Sequence, residues 1–191
     1  MIKAVLFDCF GVVRPDNLRL TYQRFGGNLD TDEQFITDTI GAANHGLIPN
    51  SRDVFAEKLG ITADEFMQAL DDGVQNDQHL LDYIAELRKT YKTGMLSNVS
   101  RGRLQEIFEP GVLDTYFDVY VGSGDMGVAK PEPEAYRTVA ERLGVSPEEC
   151  IFTDDSEDYC AGARAAGMQA IRYQSFPQYK RELEAILAGR S

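Results

Sequence analysis

Apolar positions along this chain follow two different spacings. The run Ala4-Val5-Leu6-Phe7 is apolar at every position and stops on one carboxylate, Asp8, with Gly11 and Val12-Val13 just beyond. A strand covered on both faces of a sheet gives that pattern. From 14 to 77 the spacing becomes helical and no strand is evident, which predicts helices over 16–25, 32–43, 52–59 and 63–72. Gly26-Gly27, Asn44-His45-Gly46 and Gly60 separate them. Thr62 and Glu65 have the spacing of a capping box, in which each can satisfy the other's free backbone donor.

Beyond residue 77 helices and strands alternate. Leu80, Leu81, Ile84 and Leu87 mark a helix over 78–90, and the strand 93–96 ends on Ser97-Asn98. A helix over 101–108 precedes a strand over 119–121, which runs into the glycine-rich stretch 122–127 and then Lys130-Pro131. After a helix over 132–143, the strand 150–153 ends on Asp154-Asp155 and meets a helix of small residues at 161–167. A strand over 169–172 and a helix over 178–187 close the chain. This order predicts an α/β fold, a Rossmann-like doubly wound parallel sheet. Residues 1–13 and 78–191 would form its core domain, and 14–77 an inserted all-helical cap.

Charge narrows the partners. A formal net charge of -12 over 191 residues argues against nucleic acid, which needs a basic face, and equally against an anionic membrane surface. A small phosphorylated ligand stays open, because local groups or a metal can reverse the field inside one cleft. Cys9, Cys150 and Cys160 suggest neither a disulfide framework nor a zinc site, and the opening apolar run is too short for a signal peptide or a membrane span. The cytoplasm is the expected compartment. Nothing in the sequence fixes an oligomeric state.

Candidate chemistry collects where the strands stop. Right-handed crossovers bring the carboxyl ends of parallel strands to one edge, so Asp8, Ser97-Asn98, the Lys130 loop and Asp154-Asp155 should converge on one crevice. Singly, each has a structural explanation as a turn cap, a helix cap or a solvated lysine. Their chemical complementarity speaks for a site. Gly122, Gly124 and Gly127 spell a dinucleotide-loop pattern. They follow a later strand, and Val128-Ala129-Lys130-Pro131 stands before the next expected helix, which argues against that role.

The ordered set FDxxG at Asp8, LSN at Ser97, the GDxGxxKPxPxxY run from Gly124 to Tyr136, and DD at Asp154 resembles the haloacid dehalogenase-like hydrolase superfamily over nearly the whole chain. The helical segment is similar to that family's cap, and the closest likeness is to sugar phosphatases of the glucose-1-phosphate phosphatase kind. The resemblance implies Asp8 as the nucleophile that forms an aspartyl-phosphate. It implies Mg²⁺ held by Asp8, Asp155 and the Phe10 backbone carbonyl, with Asp154 in support and Asp158 a further candidate. Ser97, Asn98 and Lys130 would bind phosphate, and Lys130 would also neutralise the nucleophile. In the cap, His45, Arg14 and Tyr22, with Arg24 and Arg52, would face the cleft and select a small phosphorylated metabolite.

One position departs from the family pattern. Its phosphatases carry an acid two residues after the nucleophile, and this chain has Phe10. General acid-base help contributes about 10² to 10⁴ in rate, so a phosphatase built this way should be slow. The aromatic residue also resembles the family's metal-free dehalogenases, but those lack the Asp154-Asp155 pair. Three readings follow: a Mg²⁺-dependent phosphatase, a non-catalytic protein binding a phosphorylated ligand or partner, and a metal-independent 2-haloacid dehalogenase-like hydrolase.

Overall fold

The computed structural model describes residues 1–189. Strand β1 (Ala4–Phe7) is followed by helices α1 (Leu18–Arg24), α2 (Leu29–Asn44), α3 (Arg52–Leu59), α4 (Ala63–Asp71) and α5 (Gln78–Leu87). Then come β2 (Lys92–Ser97), the short helices α6 (Arg103–Ile107) and α7 (Val112–Tyr116), β3 (Val119–Gly122) and α8 (Ser123–Met126). Helix α9 (Pro133–Leu143), a 3₁₀ turn at Pro147–Glu149, β4 (Cys150–Asp154), α10 (Glu157–Ala165), β5 (Gln169–Arg172) and α11 (Phe176–Leu187) complete the order.

The five strands form one parallel sheet in the order β3-β2-β1-β4-β5. The continuous apolar run of β1 is explained by its central place. Val5 and Phe7 pack on one face with Leu80 and Ile84 of α5 and Tyr179 and Leu183 of α11. Ala4 and Leu6 pack on the other with Ala135, Tyr136 and Val139 of α9. Strand order reverses between β1 and β4, and open α/β sheets bind ligands at the carboxyl side of such a switch point.

Helices α1 to α4 keep a hydrophobic cluster of their own, formed by Tyr22, Ile36, Phe55, Ala56 and Phe66. Tyr22 meets Phe55 edge-on at 5.7 Å. The chain leaves and rejoins the sheet domain side by side, because the Asp77 N–H donates to the Val13 carbonyl at 2.8 Å. The Thr62–Glu65 capping box is present at the start of α4. Two expectations change. The helix expected over 101–108 ends at Ile107, and Pro110 and Gly111 turn the chain into α7. The stretch read as a loop over 122–127 contains α8, a single turn too short to show a helical period.

Candidate active site

Strand register assembles the site. Asp8 directly follows β1, and its N–H donates to the Thr153 carbonyl at 2.9 Å, so the ends of β1 and β4 stay side by side. Lys130 Nζ lies 2.9 Å from Asp8 Oδ1 and 2.6 Å from Asp154 Oδ2. Exposure of Lys130, Asp8 and Asp154 is only 3%, 6% and 0%. The ammonium also lies 5.3 Å from the Phe152 ring and 4.8 Å from the Tyr159 ring.

A loop lysine reaches this depth because several groups hold the loop. Asn98 grips the Lys130 backbone: the Lys130 N–H donates to Asn98 Oδ1 at 2.9 Å, and Asn98 Nδ2 donates to the Lys130 carbonyl at 2.8 Å. Gly162 lets α10 approach, since a Cβ there would lie 2.6 Å from the Pro131 carbonyl oxygen. Tyr136 Oη then donates to the Tyr159 carbonyl at 2.7 Å. The side chain of Asn98, expected at phosphate, engages its amide oxygen and one N–H with the lysine loop, while the residue also lines the cavity between sheet and cap.

Asp8, Asp154 and Asp155 each offer a carboxylate oxygen, and these atoms lie within 4.8 Å of one another. Burial raises Asp8 to about 6 against the pull of Lys130. Burial raises Asp154 as well, again opposed by Lys130, while the more exposed Asp155 is raised by partial desolvation and by the charge of Asp8. Burial works to lower Lys130, but its two carboxylate partners outweigh it and hold the lysine charged. Three carboxylates around one ammonium leave negative charge in excess, and one hard divalent cation would compensate it. Gly11 belongs to this arrangement. It has φ +83°, and a Cβ there would lie 2.4 Å from Asp155 Oδ2, so the carboxylate lies where only glycine leaves room.

The cluster opens on a cavity of about 830 Å³ between sheet and cap, lined by Asp8, Phe10, Ser97, Asn98 and Asp155 among others. Ser97 is 1% exposed and lines the cavity at the end of β2. Asp158 is exposed and outside this lining. The cap residues expected at the cleft require correction. Arg14 is buried against Asp71 at 2.8 Å, Tyr22 packs in the cap's own cluster and donates to Asp32 at 2.9 Å, and Arg24 is exposed. His45 sits between the Gly41 carbonyl at 2.8 Å and Glu132 at 2.7 Å, so its ring ties cap to lysine loop. None of these four lines the cavity, whereas Arg52 does, paired with Glu106 at 2.7 Å.

Other cavity residues carried no signal in the sequence. Asn44, Ile48, Met67, Arg101 and Arg103 come together only through the packing of cap on sheet. Arg103 is bound to Asp71 at 2.9 Å, while Arg101 has no carboxylate partner among the described residues and adds a positive charge to the cavity wall.

A parallel sheet with an aspartate–lysine–aspartate cluster at its switch point, under a helical insertion, defines a capped, doubly wound α/β domain. The family model for haloacid dehalogenase-like hydrolases matches residues 2–167, and the chain belongs to that family. It is 42% identical over 84 residues to Phosphatase MT3486 of Mycobacterium tuberculosis, a match covering 44% of this chain and 39% of that protein. Phosphoglycolate phosphatase of Escherichia coli K12 is 30% identical over 94 residues, covering 49% of this chain and 37% of that one. The chain therefore spans less than half the length of these curated relatives in the matched regions. Among solved structures, the HAD family enzyme bt-2542 of Bacteroides thetaiotaomicron, wild type in complex with magnesium and inorganic phosphate, superposes with a TM-score of 0.76. That match has 25% identity and covers 94% of this chain and 99% of the other.

Proposed function

We propose that this chain is a Mg²⁺-dependent phosphatase that hydrolyses a small phosphorylated metabolite through an aspartyl-phosphate on Asp8. The observation that carries the reading is the buried Lys130 at 2.9 Å from Asp8, inside a cluster of three carboxylates that opens on the cavity. The magnesium and phosphate of the bt-2542 complex and the phosphatase names of the relatives support it. Asp8, Asp155 and the Phe10 carbonyl would hold the ion, with Asp154 supporting them. When bound, the ion neutralises charge on the transferring phosphoryl group.

Lys130 and the Cys9 N–H both address Asp8 Oδ1, which leaves Oδ2 to attack phosphorus. The Oδ2–P bond forms as the ester P–O bond breaks, and the electron pair leaves with the alkoxide. Phe10 has no proton to give, so the alkoxide takes one from water. Ser97 donates to a phosphoryl oxygen, and Lys130 balances the charge gathering on the equatorial oxygens. A water molecule then attacks phosphorus as the Oδ2–P bond breaks, and its proton passes to the hydroxide left by the first step, releasing inorganic phosphate and regenerating Asp8.

A second reading, a protein that binds a phosphorylated ligand without turning it over, is favoured by Phe10 alone. A panel of phosphate esters with Mg²⁺, including p-nitrophenyl phosphate and acetyl phosphate, separates the two. Turnover abolished by EDTA and by Asp8→Asn is the expected result. No turnover on any ester would overturn the phosphatase and leave the binder. Halide release from 2-haloacids without metal would instead point to the dehalogenase-like reading.

A further inference from the structure

The cavity is far larger than a two-carbon phosphate needs. At about 830 Å³ it lies within the range of about 300 to 1,000 Å³ that accommodates drug-sized ligands. Its cap side is mainly apolar, with Ile40, Ile48, Phe66, Met67 and Leu70 contributed by α2, α4 and the segment after α2. Several polar side chains of the lining are already satisfied within the protein: Arg19 by Glu33, Arg52 by Glu106, Arg103 by Asp71 and Asn50 by Asp53.

Asn44 is different. It ends α2 one turn beyond Ile40, it is 7% exposed, and it lines the cavity. Its side-chain amide has no hydrogen-bond partner among the described residues. An amide open toward a cavity offers a donor and an acceptor to what fills it. Ile40 and Asn44, four residues apart, lie on the same face of α2.

We propose that the cap half of this cavity selects a phosphomonoester with an apolar body that carries one hydrogen-bonding group, which Asn44 reads. The inference rests on the phosphatase reading and specifies its substrate class. Phosphoglycolate would leave the apolar wall in water. A hexose phosphate would press hydroxyls against Ile48, Met67 and Leu70, where they lose water without gaining partners. An aryl-alkyl phosphate instead covers the wall and keeps its phosphate at Asp8.

Primary alkyl esters test this with similar leaving groups, so the absence of an acid at Phe10 weighs on all of them. Phenethyl phosphate should show kcat/KM at least about tenfold above phosphoglycolate and glucose 6-phosphate. Met67→Gln should erase that preference while thermal melting stays near wild type. Among ortho-, meta- and para-hydroxyphenethyl phosphates, one isomer should gain roughly three- to tenfold in KM over phenethyl phosphate. Within Asn44→Leu, the favoured isomer should lose its advantage over phenethyl phosphate, so that the ratio between the two falls to about one. Equal use of all three ester classes, or no distinction among the isomers, would overturn the proposal.

Phosphonates separate its failure from that of the phosphatase reading. Calorimetry with Mg²⁺ present should show phenylpropylphosphonate binding at least about tenfold more tightly than phosphonopropanoate. If no ester turns over but this preference holds, the phosphatase reading falls and the cavity assignment stands. Equal binding, or preference for phosphonopropanoate, overturns the assignment whatever the turnover.

Discussion

The crevice at the sheet edge and the seam between cap and sheet are both built from ion pairs, but of different kinds. In the crevice Lys130 and Asp154 have side chains with 0% exposure and Asp8 8%. Across the seam, Asp71–Arg103 has exposures of 34% and 11%, Arg52–Glu106 of 32% and 42%, and His45–Glu132 of 39% and 47%. A buried charge cannot lose its partner cheaply, whereas water replaces much of a half-solvated pair. The crevice is therefore fixed by its own electrostatics, and the cap is fastened by contacts that salt and water can loosen. On the proposed function, this division would suit a rigid chemical centre beneath a cover that opens to admit a ligand.

The largest test of that contrast is Lys130→Met. It leaves Asp8 and Asp154 facing each other without a counter-charge, and the expected loss is about 3 to 5 kcal/mol in a urea titration. A loss below about 1 kcal/mol would place the crevice with the seam. Phe10→Asp sharpens the chemistry of the crevice. It should raise turnover of alkyl phosphates by about 10² or more and of aryl phosphates much less, because only a poor leaving group needs the proton. Equal acceleration of both would show that proton supply is not what limits this site.

Asp71→Asn addresses the seam, where Asp71 accepts from Arg14 and Arg103 together. About 1 kcal/mol is expected, read as a lower melting temperature whose deficit shrinks in high salt. A deficit indifferent to salt would mean that the pair behaves as part of the interior.

The smallest effect belongs to His45. Its imidazole is raised above the usual histidine value, first by the Gly41 carbonyl and then by Glu132, while His45 holds Glu132 low. A raised basic group stabilises fully below its unfolded value of about 6.5 and loses that contribution as pH climbs through its folded value. The melting-temperature gap between wild type and His45→Gln should thus be widest near about pH 6 and close on the alkaline side. A gap that grows with pH would contradict the assigned pair.

The crevice at the sheet edge was far more legible in the sequence than the cap side of the cavity, for a physical reason. Asp8, Ser97, Lys130 and Asp154-Asp155 each end or follow a strand or its loop, and parallel register carries strand ends to one edge whatever the side-chain details. Tyr136 and the small residues of α10 were visible as a pattern, and their contacts with Tyr159 and Pro131 supply the cause. Short elements such as α7 and α8 are different, since four or five residues cannot display a period.

The sequence by itself determined the parallel sheet, the helical insertion and the acidic and basic groups at the strand ends, because hydrophobic period and chain order suffice for these. Only the tertiary structure decided which cap residues meet the cavity. It turned Arg14, Tyr22 and His45 toward Asp71, Asp32 and Glu132, and brought Asn44, Met67 and Arg101 to the wall. A helix presents every residue to some direction, and the packing of one helical layer on another, not the local period, selects which of them a ligand can touch.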